Sequence, residues 1–285
     1  MENKKSVNYQ KIVLYFIMVV FILYTLSIVI PIFWMFLNTF KTAKEYDFGK
    51  FFPQGFEWRN YVVAFSELTV YKTNVLGMMF NSFWYAVGGA GLGVLCGTMV
   101  AYSISKYRFW GRGLLSTVAI VVMVVPIVGA LPSQYKVYEF LNMINSPFIL
   151  ICFTSGFGMN YLVMRGAFDN LSWNYAEAAF IDGAGHFRVC FQIMLPQVFP
   201  MITALFLIAF IGTWNDYMSP LIFMPELPTL STGLYVYEAK HKKSMEMSMP
   251  IYFTGVMLCL LPVLTLFLIF RNTIMEMSLG GGIKE

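Results

Sequence analysis

Charge is scarce in this chain of 285 residues: Asp, Glu, Lys and Arg together make up 12%, against about 25% in soluble domains. That deficit, beside a hydrophobic share of 58%, excludes an ordinary water-soluble globule. Cysteine is also sparse. Cys96, Cys152, Cys190 and Cys259 have no paired spacing, so neither a disulfide framework nor a zinc site is implied, and they read as small apolar packing residues. The two histidines, His186 and His241, stand apart from each other and from any carboxylate cluster with ligand spacing. No nucleophile has a convincing base beside it, so no catalytic residue is assigned. No Gly-x-x-x-x-Gly-Lys phosphate loop occurs, so ATP, if it drives this protein, is bound by another chain. Gly89-x-Gly91-x-Gly93 is no dinucleotide loop either, because Cys96 stands where that fingerprint needs its third glycine. Gly89, Gly93 and Gly97 instead recur every four residues, placing small surfaces on one helix face for close packing.

What is present is length in apolar runs. Six can hold the roughly 20 residues that cross a hydrocarbon core: Ile12 to Leu37, Leu76 to Ser103, Leu114 to Leu131, Pro147 to Met164, Val198 to Phe223 and Pro250 to Phe270. An all-α polytopic membrane protein with six transmembrane helices is expected. The first run follows Lys4, Lys5 and Lys11 like a signal peptide, but it is too long and lacks a small-residue cleavage site, so it is expected to stay as a span. Orientation is read from Lys and Arg near the span ends. With both termini inside, ten of the nineteen basic residues are cytoplasmic, which decides nothing. The short connection Lys106-Tyr-Arg108-Phe-Trp-Gly-Arg112 has three positive charges and no acid, whereas Pro132 to Ser146 sets Lys136 against Glu139. Both termini are therefore expected in the cytoplasm.

Between the fourth and fifth runs lies a polar segment, 172–197, containing Glu177-Ala178-Ala179, Gly183 and Ile193-Met194-Leu195-Pro196. Three residues of low bulk beside one carboxylate let another protein approach a short helix closely. Gly183 costs about 1 kcal/mol of helix propensity and favours a bend, and Pro196 disfavours continuation of a second short helix. The pattern predicts helix, glycine turn, helix on the membrane surface. Asn174, with Glu177 three residues on, predicts a capping box at its start.

With these residues laid out, the segment resembles the EAA loop of ABC-importer permeases, and Glu177-Ala-Ala-Phe-Ile-Asp182-Gly183-Ala184 resembles the carbohydrate-uptake branch. The resemblance runs along nearly the whole chain. Phe40-Lys41, Pro53-Gln-Gly-Phe and Trp58-Arg-Asn60-Tyr61 are similar to the first external segment of sugar permeases; Asn81-Ser82 and Ala101-Tyr102-Ser-Ile-Ser105 to the start and finish of the second span; Trp214-Asn215-Asp216 to the Trp-Asn signature of the fifth; Gly280-Gly-Gly-Ile-Lys284 to the glycine-rich ending. The sequence departs from the family at Ser172-Trp173-Asn174-Tyr175, which replaces the usual proline and acidic residues.

The resemblance implies that Glu177, Ala178, Ala179, Asp182, Gly183 and Ala184 seat a coupling helix in a cytoplasmic ATPase, with Phe180 and Ile181 adding apolar contact. Beside that role Glu177 has a plainer one, satisfying backbone donors at a helix start. Asp182 and Arg188 pair either locally or across the interface. Phe187 and Phe191, four apart, share a helix face and are expected to pack the second helix onto the permease's own core. Polar residues inside spans are functional candidates by default, so Asn160, Asn215 and Asp216 are candidates for the translocation path; Asp216 lies either in a cavity or, if the helix ends there, at the outer interface. Asn160, with Gly156 and Gly158, equally suits helix packing. The loop 224–249 resembles the one that meets the solute-binding protein, with Tyr235, Lys240, Lys242 and Lys243 as candidate contacts and a solvated connector as the plainer reading.

The expected organisation is a cytoplasmic N-terminus over 1–11, a transmembrane permease domain over 12–270 with an extracellular segment 41–75 and an extracellular loop 224–249, and a cytoplasmic tail over 271–285. By resemblance the chain is a non-catalytic subunit that binds no cofactor of its own, in a bacterial or archaeal cell membrane. Its expected partners are a second, homologous permease, two copies of an ATPase holding ATP and Mg²⁺, an extracellular binding protein delivering a sugar or oligosaccharide, and the lipid bilayer, with no nucleic acid. A permease for a non-sugar solute and an ion-coupled secondary transporter are the alternatives; the latter should show internal repeats and ion-coordinating broken spans, neither of which is clear in the sequence.

Overall fold

The computed structural model describes residues 3–125, 129–241 and 248–280. Helices account for nearly all regular structure: α1 (Asn3–Asn38), α2 (Ala43–Asp47), α3 (Arg59–Glu67), α4 (Val75–Lys106), α5 (Arg112–Val124), α6 (Leu131–Phe140), α7 (Ile149–Phe153), α8 (Met159–Asn170), α9 (Asn174–Ile181), α10 (His186–Gln197), α11 (Phe199–Asn215), α12 (Met218–Phe223), α13 (Leu230–His241) and α14 (Met249–Gly280). Among the described residues the β pairing is one isolated bridge, Val70 to Thr73.

Among the described residues three stretches are long and apolar enough to cross a bilayer as single helices: Lys11–Asn38, Val75–Lys106 and Met249–Asn272. A fourth span arises if α10 and α11, bent by 75° at their junction, count as one. The other expected runs are broken. The run from Leu114 yields a helix of 13 residues ending at Val124, about 20 Å of rise. The run from Pro147 divides into α7 and α8, with Gly158 at φ +133° before α8, a backbone setting that L side chains rarely adopt. The run from Val198 stops at Asn215 because the Asp216 carboxylate takes the amides that open α12. Apolar length alone does not report such breaks, since composition is indifferent to a single cap or glycine.

Two compact units are distinguishable: the residues up to Leu68 together with Glu238–Cys259, and Thr69–Tyr237 together with the residues from Leu260 onward. In the first, α1 carries apolar residues on every face, with Ile12 to Phe16 and Ile28 to Ile30 all exposed, the pattern of a helix whose solvent is hydrocarbon. Below it the segments singled out in the sequence come together. Asn60 Nδ2 donates to the carbonyls of Thr39 and Lys41, each at 2.8 Å, and Tyr61 Oη meets Thr39 Oγ1 at 3.1 Å. Phe40 lies edge-on to Trp58 at 4.9 Å and to Phe56 at 5.4 Å. Lys41 is buried and its ammonium donates to the Lys50 carbonyl; burial lowers its pKa, with Glu45 opposing the shift. The segment after α1 is thus an ordered knot, stabilised by aromatic contact and by satisfied buried carbonyls.

In the second unit α4 is the central helix, packed on α8 and α11. The expected glycine face is where they meet. A Cβ on Gly89 would lie 3.1 Å from Thr213 Cγ2, and one on Gly97 would lie 3.0 Å from Asn160 Cβ and 3.2 Å from the Tyr161 nitrogen. Asn81 and Ser82 sit inside α4 and hold the loop before α13: Asn81 Nδ2 donates to the Pro228 carbonyl at 3.1 Å, and Ser82 Oγ accepts from Leu230 N at 2.7 Å. At the far end of α4, Lys106 Nζ donates to the Leu171 carbonyl at 2.6 Å and Ser105 Oγ donates to Asp169. Both ends of this helix are therefore anchored to segments distant in sequence.

Candidate functional site

The segment 172–197 folds as helix, turn, helix, and its turn is specified by backbone geometry. Gly183 has φ +81°. Gly183 N bonds Phe180 O at 3.0 Å and Ala184 N bonds Ala179 O at 2.9 Å, the paired bonds of a Schellman ending, in which the residue after the cap must be left-handed. Nothing lies within 4 Å of where a Cβ would stand on Gly183, so the demand for glycine is conformational and not steric.

The start of α9 differs from expectation. Asn174 is already helical, no side chain caps the helix, and Asn174 N donates to Ser172 Oγ at 3.2 Å. The capping box of Asn174 and Glu177 is not formed, because a serine two residues earlier takes the amide first. Glu177, in the first turn, is exposed. The second arm ends close to where the sequence reading put it: α10 stops at Gln197, one residue past Pro196. Val189–Met194 is a π-helical stretch in which Leu195 N bonds Cys190 O, a wider turn that comes just before Pro196, which sits in the last α-helical turn Leu195–Gln197. The bend comes at Val198 (φ −106°, ψ 8°).

Burial sorts the residues of this segment. Ala179 turns inward with Ala176, Val189, Cys190 and Met194 onto Tyr102, Tyr161 and Phe168, so its small size serves the chain's own core. Glu177, Ala178, Asp182 and Gly183 are exposed and Ala184 half-buried. Asp182 and Arg188 do not pair locally; Arg188 Nε donates to Gln192 Oε1 at 3.0 Å. Phe187 and Phe191 do not pack onto the core: they are 83% and 53% exposed, and Ile181 is 86% exposed, because Val189, Cys190 and Met194 already hold the inward face. Phe180 belongs to a ring cluster tying the arms together, 4.9 Å from His186 and 6.1 Å from Trp173, with Tyr107 Oη 3.1 Å from His186 Nδ1.

A second constellation surrounds Asp216. The helix does end beside it, as one of the two readings required, and the carboxylate also lines a cavity of about 400 Å³. Oδ1 accepts from Met218 N at 3.1 Å and Ser219 N at 3.0 Å, and Oδ2 accepts from Tyr85 Oη at 2.9 Å. Gln134, Tyr138, Thr213 and Ser219 add polar groups, and Phe153 and Phe223 add rings. Tyr138 lies 5.1 Å from Phe223 and 6.0 Å from Phe153, its hydroxyl donates to the Cys152 carbonyl at 3.4 Å, and its phenol pKa is raised by burial and then by Cys152. Tyr85, Gln134, Tyr138 and Ser219 were not among the sequence candidates; Tyr85, a phenol inside an apolar run, was the one available signal.

The other candidates are not part of this cavity. Asn160 stands against Gly93 and Gly97 in the seam of α4 and α8, and Asn215 is exposed with its amide bonded to the Ile211 carbonyl at 2.8 Å. Trp214 is buried and stacks on Phe210 at 5.6 Å. The loop 224–249 is no plain solvated connector over its described residues, since α13 occupies much of it. Tyr235, partly exposed, stacks on Tyr217 at 4.6 Å; Lys240 is exposed; Lys242 and Lys243 lie outside the described residues. Thr232 Oγ1 donates to the Tyr217 carbonyl at 3.0 Å and Ser231 Oγ to that of Trp214 at 2.6 Å, fixing the start of α13 beside the end of α11.

Comparison with known proteins agrees with this anatomy. The family described as "Binding-protein-dependent transport system inner membrane component" matches residues 89–276. The maltodextrin transport system permease protein MalD of Streptococcus pneumoniae is 30% identical over 266 residues, covering 91% of this chain and 92% of that protein. MdxG of Bacillus subtilis, another maltodextrin transport system permease protein, is 30% identical over 217 residues, covering 75% and 77%. The diacetylchitobiose uptake system permease protein NgcG of Streptomyces coelicolor is 26% identical, covering 89% and 83%. Among solved structures, a chain from a bacterial ABC transporter involved in the import of the acidic polysaccharide alginate superposes with a TM-score of 0.79 over 93% of this chain and 97% of its own, at 18% identity, a likeness of fold. On the family match and on two relatives at 30% identity, this chain belongs to the inner membrane components of binding-protein-dependent transport systems.

Proposed function

We propose that the chain is the permease subunit of an ATP-driven, binding-protein-dependent ABC importer for a sugar or oligosaccharide. The observation that carries this reading is the run of relatives whose names specify saccharide permeases and which align over most of their own length and of this chain. The helix–glycine–helix segment supports it from the side of mechanism, since it offers outward-facing apolar and acidic groups on a turn fixed by the Gly183 backbone.

In this reading six spans cross the cell membrane with both termini in the cytoplasm, four as the helices described and two built from the shorter elements around α5 and around α7 and α8. Glu177, Ala178, Asp182 and Ile181 dock the ATPase, joined by Phe187 and Phe191; Ala179, Gly183 and Ala184 shape the helix that presents them. A second, homologous permease completes the pore, two ATPase copies hold ATP and Mg²⁺, and a binding protein delivers solute at the outer face, touching Tyr235 and the Lys240 to Lys243 stretch. ATP binding closes the ATPase pair and turns the cavity outward; hydrolysis resets it. Free energy enters through the docked segment, with no chemistry in this chain.

The test is reconstitution of the chain in proteoliposomes with its second permease, ATPase and binding protein. ATP-dependent accumulation of a labelled neutral oligosaccharide such as maltotriose or diacetylchitobiose is expected, and it should be lost when the ATPase is omitted. Accumulation driven by a proton gradient without ATP would overturn the assignment, and so would uptake confined to amino acids or metal ions.

A further inference from the structure

The cavity around Asp216 has a composition that general membrane packing does not require. Its carboxylate has room for roughly four hydrogen bonds and receives three within the chain, from two backbone amides and the Tyr85 hydroxyl. No basic side chain lines the cavity among the described residues. The carboxylate oxygens are therefore held by backbone amides and a phenol, with no Lys or Arg in the lining. The Gln134 amide and the Ser219 hydroxyl add donors and acceptors, the Tyr138 hydroxyl, which donates to the Cys152 carbonyl at 3.4 Å, adds an acceptor, and Tyr138, Phe153 and Phe223 present mutually tilted rings with centroids 5.1 to 6.0 Å apart. A volume of about 400 Å³ falls toward the lower end of the roughly 300–1,000 Å³ of small-molecule sites.

We infer that this cavity is a charge-selective solute subsite within the permease, holding an uncharged, hydroxyl-rich ring and turning away anionic ones. Carboxylate, amide and hydroxyl groups suit the hydroxyls of such a ring, which donate as well as accept. The aromatic rings suit its C–H faces, because the negative face of an aromatic attracts the weakly positive edge of a neighbour. An anionic ring would meet Asp216 without a compensating cation, and like charges brought together away from bulk water repel by several times what they do in it. The inference rests on the importer reading for the identity of the occupant, but the charge preference of the cavity is a property of this chain alone.

Cys152 lines the same cavity and is a native reporter. In nanodiscs containing the whole importer, Cys152 is modified with a cationic or an anionic methanethiosulfonate reagent, and the rate is read by mass spectrometry of its peptide. The cationic reagent should react about tenfold faster relative to the anionic one than it does on a free thiol, as a single nearby charge implies. Asp216→Asn, which keeps an oxygen acceptor for the amides of Met218 and Ser219, should return that ratio to the free-thiol value. Maltotriose should slow the reaction in the wild type whereas trigalacturonate does not, and trigalacturonate should begin to protect in Asp216→Asn. A ratio unaffected by Asp216→Asn, or a Cys152 that neither reagent reaches, overturns the inference. Uptake of maltotriose by the complex without protection of Cys152 overturns the subsite and leaves the importer reading standing. Failure of every neutral oligosaccharide to be taken up overturns the importer reading and the sugar occupant with it, while the charge ratio still reports on the cavity.

Discussion

The segment 172–197 and the cavity at Asp216 belong to the same compact unit and are built in opposite ways. In the first, the defining bonds are short in sequence: Ala184 to Ala179, Gly183 to Phe180, Leu195 to Cys190. In the second, Tyr85 reaches Asp216 across 131 residues, and the walls come from α4, α6, α7, α11 and α12. The first turns Ile181, Phe187 and Phe191 outward; the second turns polar groups and rings inward. A turn and the side chains it exposes can be specified by local backbone chemistry, whereas a cavity needs walls from elements that meet only on folding.

The largest effect that would sharpen this contrast is expected at Gly183. A β-branched residue at φ +81° pays about 1–2 kcal/mol or more for the left-handed setting, so Gly183→Val should lower binding-protein-stimulated ATP hydrolysis of the assembled importer at least tenfold while membrane insertion persists. Gly183→Asn, which tolerates that conformation, should keep most of the activity. Equal loss in both variants would show that the backbone angle is not what matters.

Next comes the exposed apolar set. Ile181→Glu with Phe187→Asp should leave the thermal midpoint of the isolated permease within the range of ordinary surface substitutions, about ±0.5 kcal/mol, and reduce co-purification of the ATPase by about tenfold, as removal of an interface anchor does. Undiminished co-purification would mean that this face is covered by something else.

Tyr85→Phe probes the other side of the comparison. It removes one donor to a carboxylate, an interaction of about 1.5–3 kcal/mol, so a lower thermal midpoint in nanodiscs is expected, with ATPase association unchanged. Should ATPase association fall as well, the two regions are coupled more tightly than their construction suggests.

The smallest effect is expected at Glu177. Its helix start has no side-chain cap, so Glu177→Gln and Glu177→Ala should be equally harmless to permease stability. Both should weaken ATPase pull-down from membranes by a few-fold through loss of charge. A wild-type Gln variant beside a failing Ala variant would return the residue to a capping role.

How far these regions were legible follows from the same difference. Gly183, the two helices beside it and the Gly89–Gly93–Gly97 face were readable because a left-handed C-terminus and a four-residue period leave signatures within one turn or one helix. The inward position of Ala179 and the outward one of Phe187 and Phe191 were not, since a helix period shows which residues share a face but not which face meets the core. The end of the second helix beside Pro196 was readable to within a residue, but the π-helical stretch Val189–Met194 before it was not, because a single wider turn leaves no period of its own in the sequence.

The sequence by itself determined that this is a helical membrane chain, that a polar helix–glycine–helix segment interrupts its apolar runs, and that its motifs follow the order found in binding-protein-dependent permeases. These rest on composition, propensity and local period, which are properties of neighbouring residues. Only the tertiary structure decided that the later runs break into shorter helices, that Asn160 is spent on the α4–α8 seam, and that Asp216 joins Tyr85, Gln134 and Tyr138 around one cavity. Those outcomes depend on which distant side chains compete for the same space and the same hydrogen bonds, and that competition is resolved only when α4, α6, α7, α11 and α12 are packed together.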